Sequence, residues 1–175
     1  EPLDPGPGPS LANALVAIAR GHIIASYHKR LLPTYDVFDE QRYFRPGSDP
    51  CVIPIAGKRV GLTICEDIWS AEFTGIRYGN DPVKELTGRC DLIVNVSASP
   101  YHAGKPELRN RLVANVAKRT KVPVVYCNQV GAHDELLFDG DSALIGPDGT
   151  YYVDAPRWQE SILIGDLAKP VAKPA

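Results

Sequence analysis

Cys65 stands at the boundary between an apolar run and a charged pair, a position suited to a nucleophile. The run over residues 60–65 is followed at once by Glu66 and Asp67. A strand that ends where charge begins holds a thiol rigidly and presents it at the edge of a sheet. A core cysteine at a strand end would show the same pattern, so this feature alone leaves both interpretations open.

Lys29 is the second candidate, because it follows an apolar run over residues 22–28 and begins a long irregular segment. The ordinary interpretation of a lysine at a strand end is a solvated charge. The functional interpretation is electrostatic. An ammonium group beside a carbonyl stabilises the oxyanion that forms when a thiolate attacks, and it lowers the pKa of the thiol.

Composition limits the classes of protein to which these residues could belong. The chain has 175 residues, of which 44% are hydrophobic and 23% charged, as in one globular domain or part of a larger one. With 19 basic and 21 acidic residues, it lacks the basic excess of proteins that bind nucleic acids or membrane surfaces, so we expect neither partner. No apolar run reaches the roughly 18–20 residues that cross a bilayer. The chain starts with Glu1 and contains no Met, which we interpret as a piece of a longer polypeptide or a processed form.

The cysteines and histidines show no spacing typical of a metal site, and we expect no metal. The four cysteines form no CxxC pair, and we predict buried, reduced thiols in a cytoplasmic protein. They are Cys51, Cys65, Cys90 and Cys127.

The elements that must position these side chains are hairpins mixed with strand–helix–strand units. Apolar runs around turn residues predict three β-hairpins, over residues 13–27, 52–65 and 142–153. Continuous apolar runs predict strands buried on both faces over 91–96 and 122–128, and a last strand over 161–165. This order predicts an α/β domain with a mixed sheet.

Two helices are predicted from their boundaries and periodicity. Asp81 and Pro82 begin the first, and Gly88 ends it. The second covers residues 106–121, with an apolar stripe on one face and Arg, Lys and Asn on the other. The stripe consists of Leu108, Leu112, Val113, Val116 and Ala117.

Four segments in order closely resemble the nitrilase, or carbon–nitrogen hydrolase, superfamily, and within it the glutamine-hydrolysing domain of the glutamine-dependent NAD+ synthetases. They are residues 29–44, Ile64-Cys-Glu-Asp-Ile-Trp, Asn95-Val-Ser-Ala-Ser-Pro-Tyr and Phe138-Asp-Gly-Asp-Ser. The resemblance implies an α-β-β-α sandwich with mixed sheets, from which the first strand–helix–strand segment is missing here. It divides the chain into a loop or frayed start over 1–10, a partial domain over 11–167 and a flexible tail over 168–175.

The resemblance also implies a mechanism that uses a Cys, a Lys and a Glu. Cys65 would be the nucleophile and Lys29 the group that stabilises the oxyanion. The family's general base lies well upstream of its lysine, and only 28 residues precede Lys29. We therefore expect this Glu to be absent. Glu40 is a candidate second carboxylate, and its alternative interpretation is a surface charge or an ion-pair partner.

Residues on the glutamine side of the site are carried over from the same resemblance. Tyr35 and Ser99 would contact the substrate, and Lys105 would pair with the α-carboxylate. Glu66 would bind the α-amino group or orient Cys65. The alternatives are an aromatic that packs a loop for Tyr35, a solvated charge for Lys105 and a structural ion pair for Glu66. Trp69 either lines the pocket or fills the core.

One departure from the family pattern concerns residues 70–90, which form a longer segment than in compact bacterial members. It bears on the mouth of the substrate site and not on the chemistry. The remaining implications are L-glutamine as substrate, ammonia passed to a synthetase domain outside this chain, ATP used only there, no cofactor in this domain, and a homo-oligomer.

Two other functions remain open at this point. The first is a stand-alone amidase of the same superfamily. The second is a catalytically incomplete fragment, since the general base is not found. A missing segment would open a sheet edge and expose apolar surface, so we expect the isolated chain to be marginally stable or to self-associate.

Overall fold

The computed structural model describes residues 1–4 and 8–168, which form ten strands and a few helices. The strands are β1 (Ala14–Ala19), β2 (His22–His28), β3 (Cys51–Ile55), β4 (Lys58–Ile64), β5 (Leu92–Ser97), β6 (Val124–Asn128), β7 (Val130–His133), β8 (Leu136–Asp139), β9 (Ala143–Ile145) and β10 (Tyr151–Asp154). The helices are α1 (Glu40–Tyr43), α2 (Ala71–Thr74), α3 (Pro82–Leu86) and α4 (Lys105–Thr120), and a 3-10 helix covers Cys65–Ile68.

Six strands form one mixed sheet in the order β10-β9-β6-β5-β4-β3. The three central strands β4, β5 and β6 are parallel, and the outer strands are antiparallel to their neighbours. Two further hairpins, β1–β2 and β7–β8, are separate from this sheet. Because the central strands are parallel, their carboxyl ends lie at one edge, where ligand sites form in open α/β sheets. Cys65, Ala98 and Gln129 directly follow these three ends.

Each face of the sheet packs against a different layer. Helices α3 and α4 cover one face and build a core that includes Val83, Ile93 and Val116, all essentially inaccessible to solvent. The β1–β2 hairpin covers the β3–β4 side of the other face, where Tyr27 packs with Leu62. The predicted mixed α/β fold is confirmed. In the described ranges the second sheet of the sandwich is only this hairpin, and no outer helical layer covers it.

The three predicted hairpins and both predicted helices are present. Asp81 begins α3 as its N-cap, and its Oδ1 accepts a hydrogen bond from the Lys84 amide at 3.0 Å. Helix α4 begins one residue before its predicted start and buries the stripe around Leu112. Its polar face is less uniform than predicted, because Arg109 is buried.

Two predictions about strands are wrong. Residues 161–165 form no strand, and no strand among the described residues pairs with them. Ile162 and Ile164 are accordingly 92% and 86% exposed. Strands β5 and β6, both predicted to be buried on two faces, are each buried on one face only, because the β1–β2 hairpin lies over β3 and β4. Val96 is 41% exposed on the open face of β5, and Cys127 is exposed on that of β6. The β7–β8 hairpin was not predicted.

The remaining predictions concern the ends and the cysteines. The predicted tail over 168–175 lies outside the described residues apart from Ala168. All four cysteines are free thiols, of which Cys90 is buried and Cys51 and Cys65 are half-buried. Cys127 is exposed at the end of β6, so the prediction of a buried thiol is wrong there. Within the described residues, no helix has both the length and the apolar character that a membrane span requires.

Candidate active site

Cys65 is the first residue of the 3-10 helix and forms a tight turn directly after β4. Its φ is 42°, in the left-handed region that residues other than glycine rarely adopt. Such a conformation persists only where surrounding contacts enforce it, and it is frequent at functional sites. The turn places Cys65 in the lining of a cavity at the carboxyl edge of the parallel strands.

The Asp67 carboxylate enforces this turn through four hydrogen bonds. Its Oδ2 accepts from the Ile64 amide and from the Tyr27 hydroxyl, both at 2.9 Å. Its Oδ1 accepts from the amides of Arg30 and Leu31 at 3.0 and 2.9 Å. Asp67 is only 1% exposed, so every acceptor contact is made inside the protein. One buried carboxylate therefore ties the turn at Cys65 to the chain that follows Lys29.

Lys29 is a buried lysine, only 1% exposed, which excludes the interpretation of a solvated charge. Its Nζ donates a 2.5 Å hydrogen bond to Oε1 of Glu40, at the first position of α1. The Asn13 side-chain amide donates to the other carboxylate oxygen at 3.5 Å. Glu40 is therefore the ion-pair partner of Lys29, and not a free surface charge.

A cavity of about 460 Å³ brings Cys65, Lys29 and Glu40 together. The carboxyl ends of β5 and β6 contribute its other walls, and Glu40 supplies the single carboxylate among the described residues that line it. The complete lining is Asn13, Ala14, Leu15, Lys29, Phe38, Glu40, Ile64, Cys65, Val96, Ser97, Ala98, Cys127, Asn128 and Gln129. This cavity places a thiol beside an ammonium group that could stabilise an oxyanion, and its carboxylate is already paired with that ammonium.

Electrostatics at Cys65 has two opposing contributions. Burial raises the pKa of the Cys65 thiol, because it disfavours the charged thiolate. The positive charge of Lys29 acts in the opposite direction, and the negative charge of Glu66 adds to the effect of burial. The charge of Lys29 and a hydrogen bond with Ser97 both favour the thiolate at this position by lowering the pKa of the thiol.

Glu66 and Tyr35, both predicted to contact the substrate, lie together in a second cluster. The Tyr35 hydroxyl donates to both oxygens of the Glu66 carboxylate, at 2.9 and 3.0 Å. The Tyr78 hydroxyl donates to Oε1 of the same carboxylate at 2.8 Å. Glu66 is 2% exposed, and burial raises the pKa of its carboxyl group.

Lys105 lies near enough to Glu66 to feel its charge, and neither Lys105 nor Ser99 lines the Cys65 cavity. The Lys105 Nζ lies 4.3 Å from the ring centroid of Trp69, and burial lowers the pKa of the lysine. The negative charges of Cys65 and Glu66 oppose that shift. Trp69 itself belongs to the core. Ser99 is buried, and its amide donates to Oδ1 of Asn128 at 2.9 Å.

The sequence interpretation missed three supporting residues. Asp67 was noted only as a charge after Cys65, and Tyr78 lies between α2 and α3, where no site residue was predicted. Arg109 donates to Asp139 at 2.9 and 2.8 Å and to Asp141 at 2.9 Å, so it fixes the Phe138-Asp-Gly-Asp-Ser segment to α4. The two aspartates of that motif were the available indication of a buried cation. In the part of the chain that the structure describes, no group of three or more His, Cys, Asp or Glu could hold a metal ion.

Comparison with known proteins agrees with this architecture. A family model described as carbon-nitrogen hydrolase matches residues 5–174. The glutamine-dependent NAD(+) synthetase of Synechocystis sp. is 43% identical over 157 residues, which cover 88% of this chain and 28% of the relative. The enzyme of the same name from Aquifex aeolicus is 42% identical over 163 residues, or 93% of this chain and 28% of the relative. The chain thus spans little more than a quarter of the length of these relatives.

Solved structures show the same likeness. The glutamine-dependent NAD+ synthetase of Acinetobacter baumannii, in complex with ADP, superposes with a TM-score of 0.77 at 35% identity, over 86% of this chain and 27% of that one. A carbon–nitrogen hydrolase from Helicobacter pylori has a TM-score of 0.71 at 21% identity, over 85% of this chain and 54% of that one, and shares the fold.

Proposed function

The chain belongs to the carbon–nitrogen hydrolase family, and we propose that it hydrolyses the side-chain amide of L-glutamine through a thioester on Cys65. The observation that carries the proposal is the cavity that Cys65 shares with the buried Lys29 and its partner Glu40. The relatives that match nearly the whole chain are named for their dependence on glutamine, which supports this choice of amide.

The first half of the reaction forms the thioester. The Cys65 thiolate attacks the amide carbon, a C–S bond forms, and negative charge collects on the carbonyl oxygen. The ammonium group of Lys29 stabilises that charge. When the intermediate collapses, the C–N bond breaks, the leaving nitrogen takes a proton, and ammonia departs.

The second half returns the enzyme to its starting state. Water attacks the thioester carbon, a C–O bond forms, the C–S bond breaks, and glutamate leaves with the thiolate restored. A carboxyl group must supply the proton to nitrogen and accept one from water. We assign Glu40 to holding Lys29, because its Oε1 is already occupied by that ammonium. The general base is a further glutamate, which we expect outside these 175 residues.

The α-amino and α-carboxylate groups of glutamine are recognised by the second cluster, which is centred on Glu66. The Glu66 carboxylate accepts hydrogen bonds from the α-ammonium group, with Tyr35 beside it. Lys105 forms an ion pair with the α-carboxylate. Ser99 adds a polar contact at the same end. In the whole protein we propose that the ammonia passes to a synthetase portion, as the names of the relatives suggest. We propose that ATP would be used only in that portion. The proposed hydrolysis itself uses neither ATP nor a metal.

Alkylation with a diazo-ketone analogue of glutamine tests this proposal. We expect a single adduct on Cys65, located by peptide mass, which glutamine prevents and the Cys65→Ala variant does not form. Cys127 lines the same cavity and is exposed, so it serves as an internal reference for simple accessibility. An adduct on Cys127 with none on Cys65, in a chain shown to be folded by circular dichroism, would contradict the proposal. If reactive analogues of simple neutral amides alkylated Cys65 as fast as the glutamine analogue does, a general amidase would be favoured instead.

A further inference from the structure

The Glu66 carboxylate is buried and has no cationic partner. None of the ion pairs among the described residues includes it. Its hydrogen-bond donors are the neutral hydroxyls of Tyr35 and Tyr78. Lys29 and Lys105 act on it only through longer-range electrostatics. A buried charge without a paired cation is costly, so this carboxylate favours a ligand that brings a positive group.

The two tyrosines use the carboxylate oxygens unequally. Oε1 accepts from both hydroxyls, whereas Oε2 accepts only from Tyr35, whose single proton is shared between the two oxygens. A carboxylate has about four acceptor positions. Tyr78 therefore occupies Oε1 and leaves Oε2 as the oxygen with free capacity for an incoming ammonium.

Tyr78 reaches Glu66 from the segment between α2 and α3. It also lines a separate cavity of about 470 Å³ in which Trp69 and Arg77 participate and Glu66 does not. Tyr78 therefore contacts Glu66 and also borders a cavity other than that of Cys65. The contact joins the segment between α2 and α3 to the 3-10 helix that contains both Cys65 and Glu66.

We propose that Tyr78 is a positioning residue that sets specificity, because it orients Glu66 so that the site prefers amides carrying an α-ammonium group. This inference rests on the proposed function and deepens it. Hydrogen bonds to charged groups contribute enough that losing one changes binding by about ten- to a hundredfold. The loss should affect only ligands that have the ammonium, since Tyr78 does not line the cavity of Cys65.

The test compares two diazo-ketones that differ in one group. The first is the glutamine analogue with its free α-ammonium, and the second is its N-acetyl derivative, which keeps the α-carboxylate but has no positive charge. The rate of adduct formation on Cys65 is measured with each, and chloroacetamide reports the reactivity of the thiol alone. The full chain is used as wild type, as Tyr78→Phe and as Tyr43→Phe, a matched change at an exposed tyrosine on α1.

We expect the wild-type chain and Tyr43→Phe to prefer the ammonium-bearing reagent. Tyr78→Phe should reduce that preference by about tenfold or more, with unchanged rates for the N-acetyl reagent and chloroacetamide. A preference retained in Tyr78→Phe would overturn the inference and leave the proposed function intact. A fall in the chloroacetamide rate would also overturn it, because Tyr78 would then support the fold and not the specificity. A wild-type chain without preference and without protection by glutamine would overturn the proposed function as well.

Discussion

Lys29 and Glu40 form a 2.5 Å ion pair inside the cavity that Cys65 lines. The ammonium is buried and the carboxylate is partly accessible, with exposed side-chain fractions of 1% and 18%. Lys29 comes directly after β2, and Glu40 begins the short helix α1 in the loop that follows. The pair therefore fixes the ammonium on the cavity wall. It also ties the start of the irregular segment between β2 and β3 to the helix α1 within that segment.

The first prediction concerns the stability that this pair provides. Glu40→Ala leaves a buried ammonium without its partner, and breaking such a pair costs about 3 kcal/mol of unfolding free energy. The double variant Lys29→Met with Glu40→Leu should recover much of that loss, since it removes both charges. Urea unfolding of the single and double variants measures the coupling. The exposed pair of Asp39 and Arg42, 3.8 Å apart, is the matched control and should show no measurable coupling.

The second prediction concerns the reactivity of Cys65 as a function of pH. The positive charge of Lys29 lowers the pKa of the thiol against the effect of burial. Lys29→Met removes that charge, so the thiol pKa rises and the thiolate forms only at higher pH. The curve of chloroacetamide rate against pH at Cys65 should shift to higher pH, with a lower rate near neutrality. An unshifted curve at Cys65 would show that Lys29 does not act on the thiol, and the rate at Cys127 is the reference within each sample.

The third prediction concerns Asp67, which connects the two catalytic candidates. Asp67→Asn keeps the size of the side chain but cannot accept from the Ile64 amide and from the Arg30 and Leu31 amides together. Each buried donor left unpaired costs about 1–3 kcal/mol, so we expect a loss of about 3 kcal/mol and a slower reaction of Cys65. Tyr27→Phe removes one hydrogen bond to the same carboxylate and should cost about 1 kcal/mol with little change in reactivity. Urea midpoints and alkylation rates that are the same in both variants would rule out Asp67 as the link.

The candidate site could be predicted where its residues lie in local patterns. Cys65 follows an apolar strand directly, and Lys29 ends another, so each was identified from its own neighbours along the chain. Contacts between distant positions could not be found in this way. Asp67 accepts from amides 36 and 37 residues earlier, and Arg109 binds Asp139 across 30 residues. Such pairs depend on how the sheet and α4 come together, which spacing does not encode.

The errors in the fold have equally specific causes. The run over 161–165 is apolar enough for a strand, but a strand also needs a partner, and no strand in the described part of the chain pairs with it. The β7–β8 hairpin was missed because Gly131, His133 and Asp134 give it a weak apolar pattern. Hairpins with turn residues between two apolar runs, such as β3–β4, were predicted correctly because both signals occur within a few residues.

The fourth prediction concerns the outer face of the β1–β2 hairpin. Ile18 and Ile23 are cross-strand partners, and they are 66% and 69% exposed. Val16 and Ile24 on the same hairpin are also exposed, so β-branched side chains form an apolar patch on a short two-stranded element. Such a patch promotes association in water, because burying it removes apolar surface from solvent.

We therefore expect the isolated chain to self-associate as its concentration rises, and sedimentation velocity measures this directly. Ile18→Thr with Ile23→Thr keeps β-branched residues that suit a strand but removes apolar area, so association should weaken while the circular dichroism spectrum is unchanged. The control is the same double substitution at Ile162 and Ile164, which are also exposed but belong to no strand. Association that is unchanged by the substitutions at Ile18 and Ile23 but reduced by those at Ile162 and Ile164 would contradict this prediction. The chain would then associate through residues 161–165 and not through the β1–β2 hairpin.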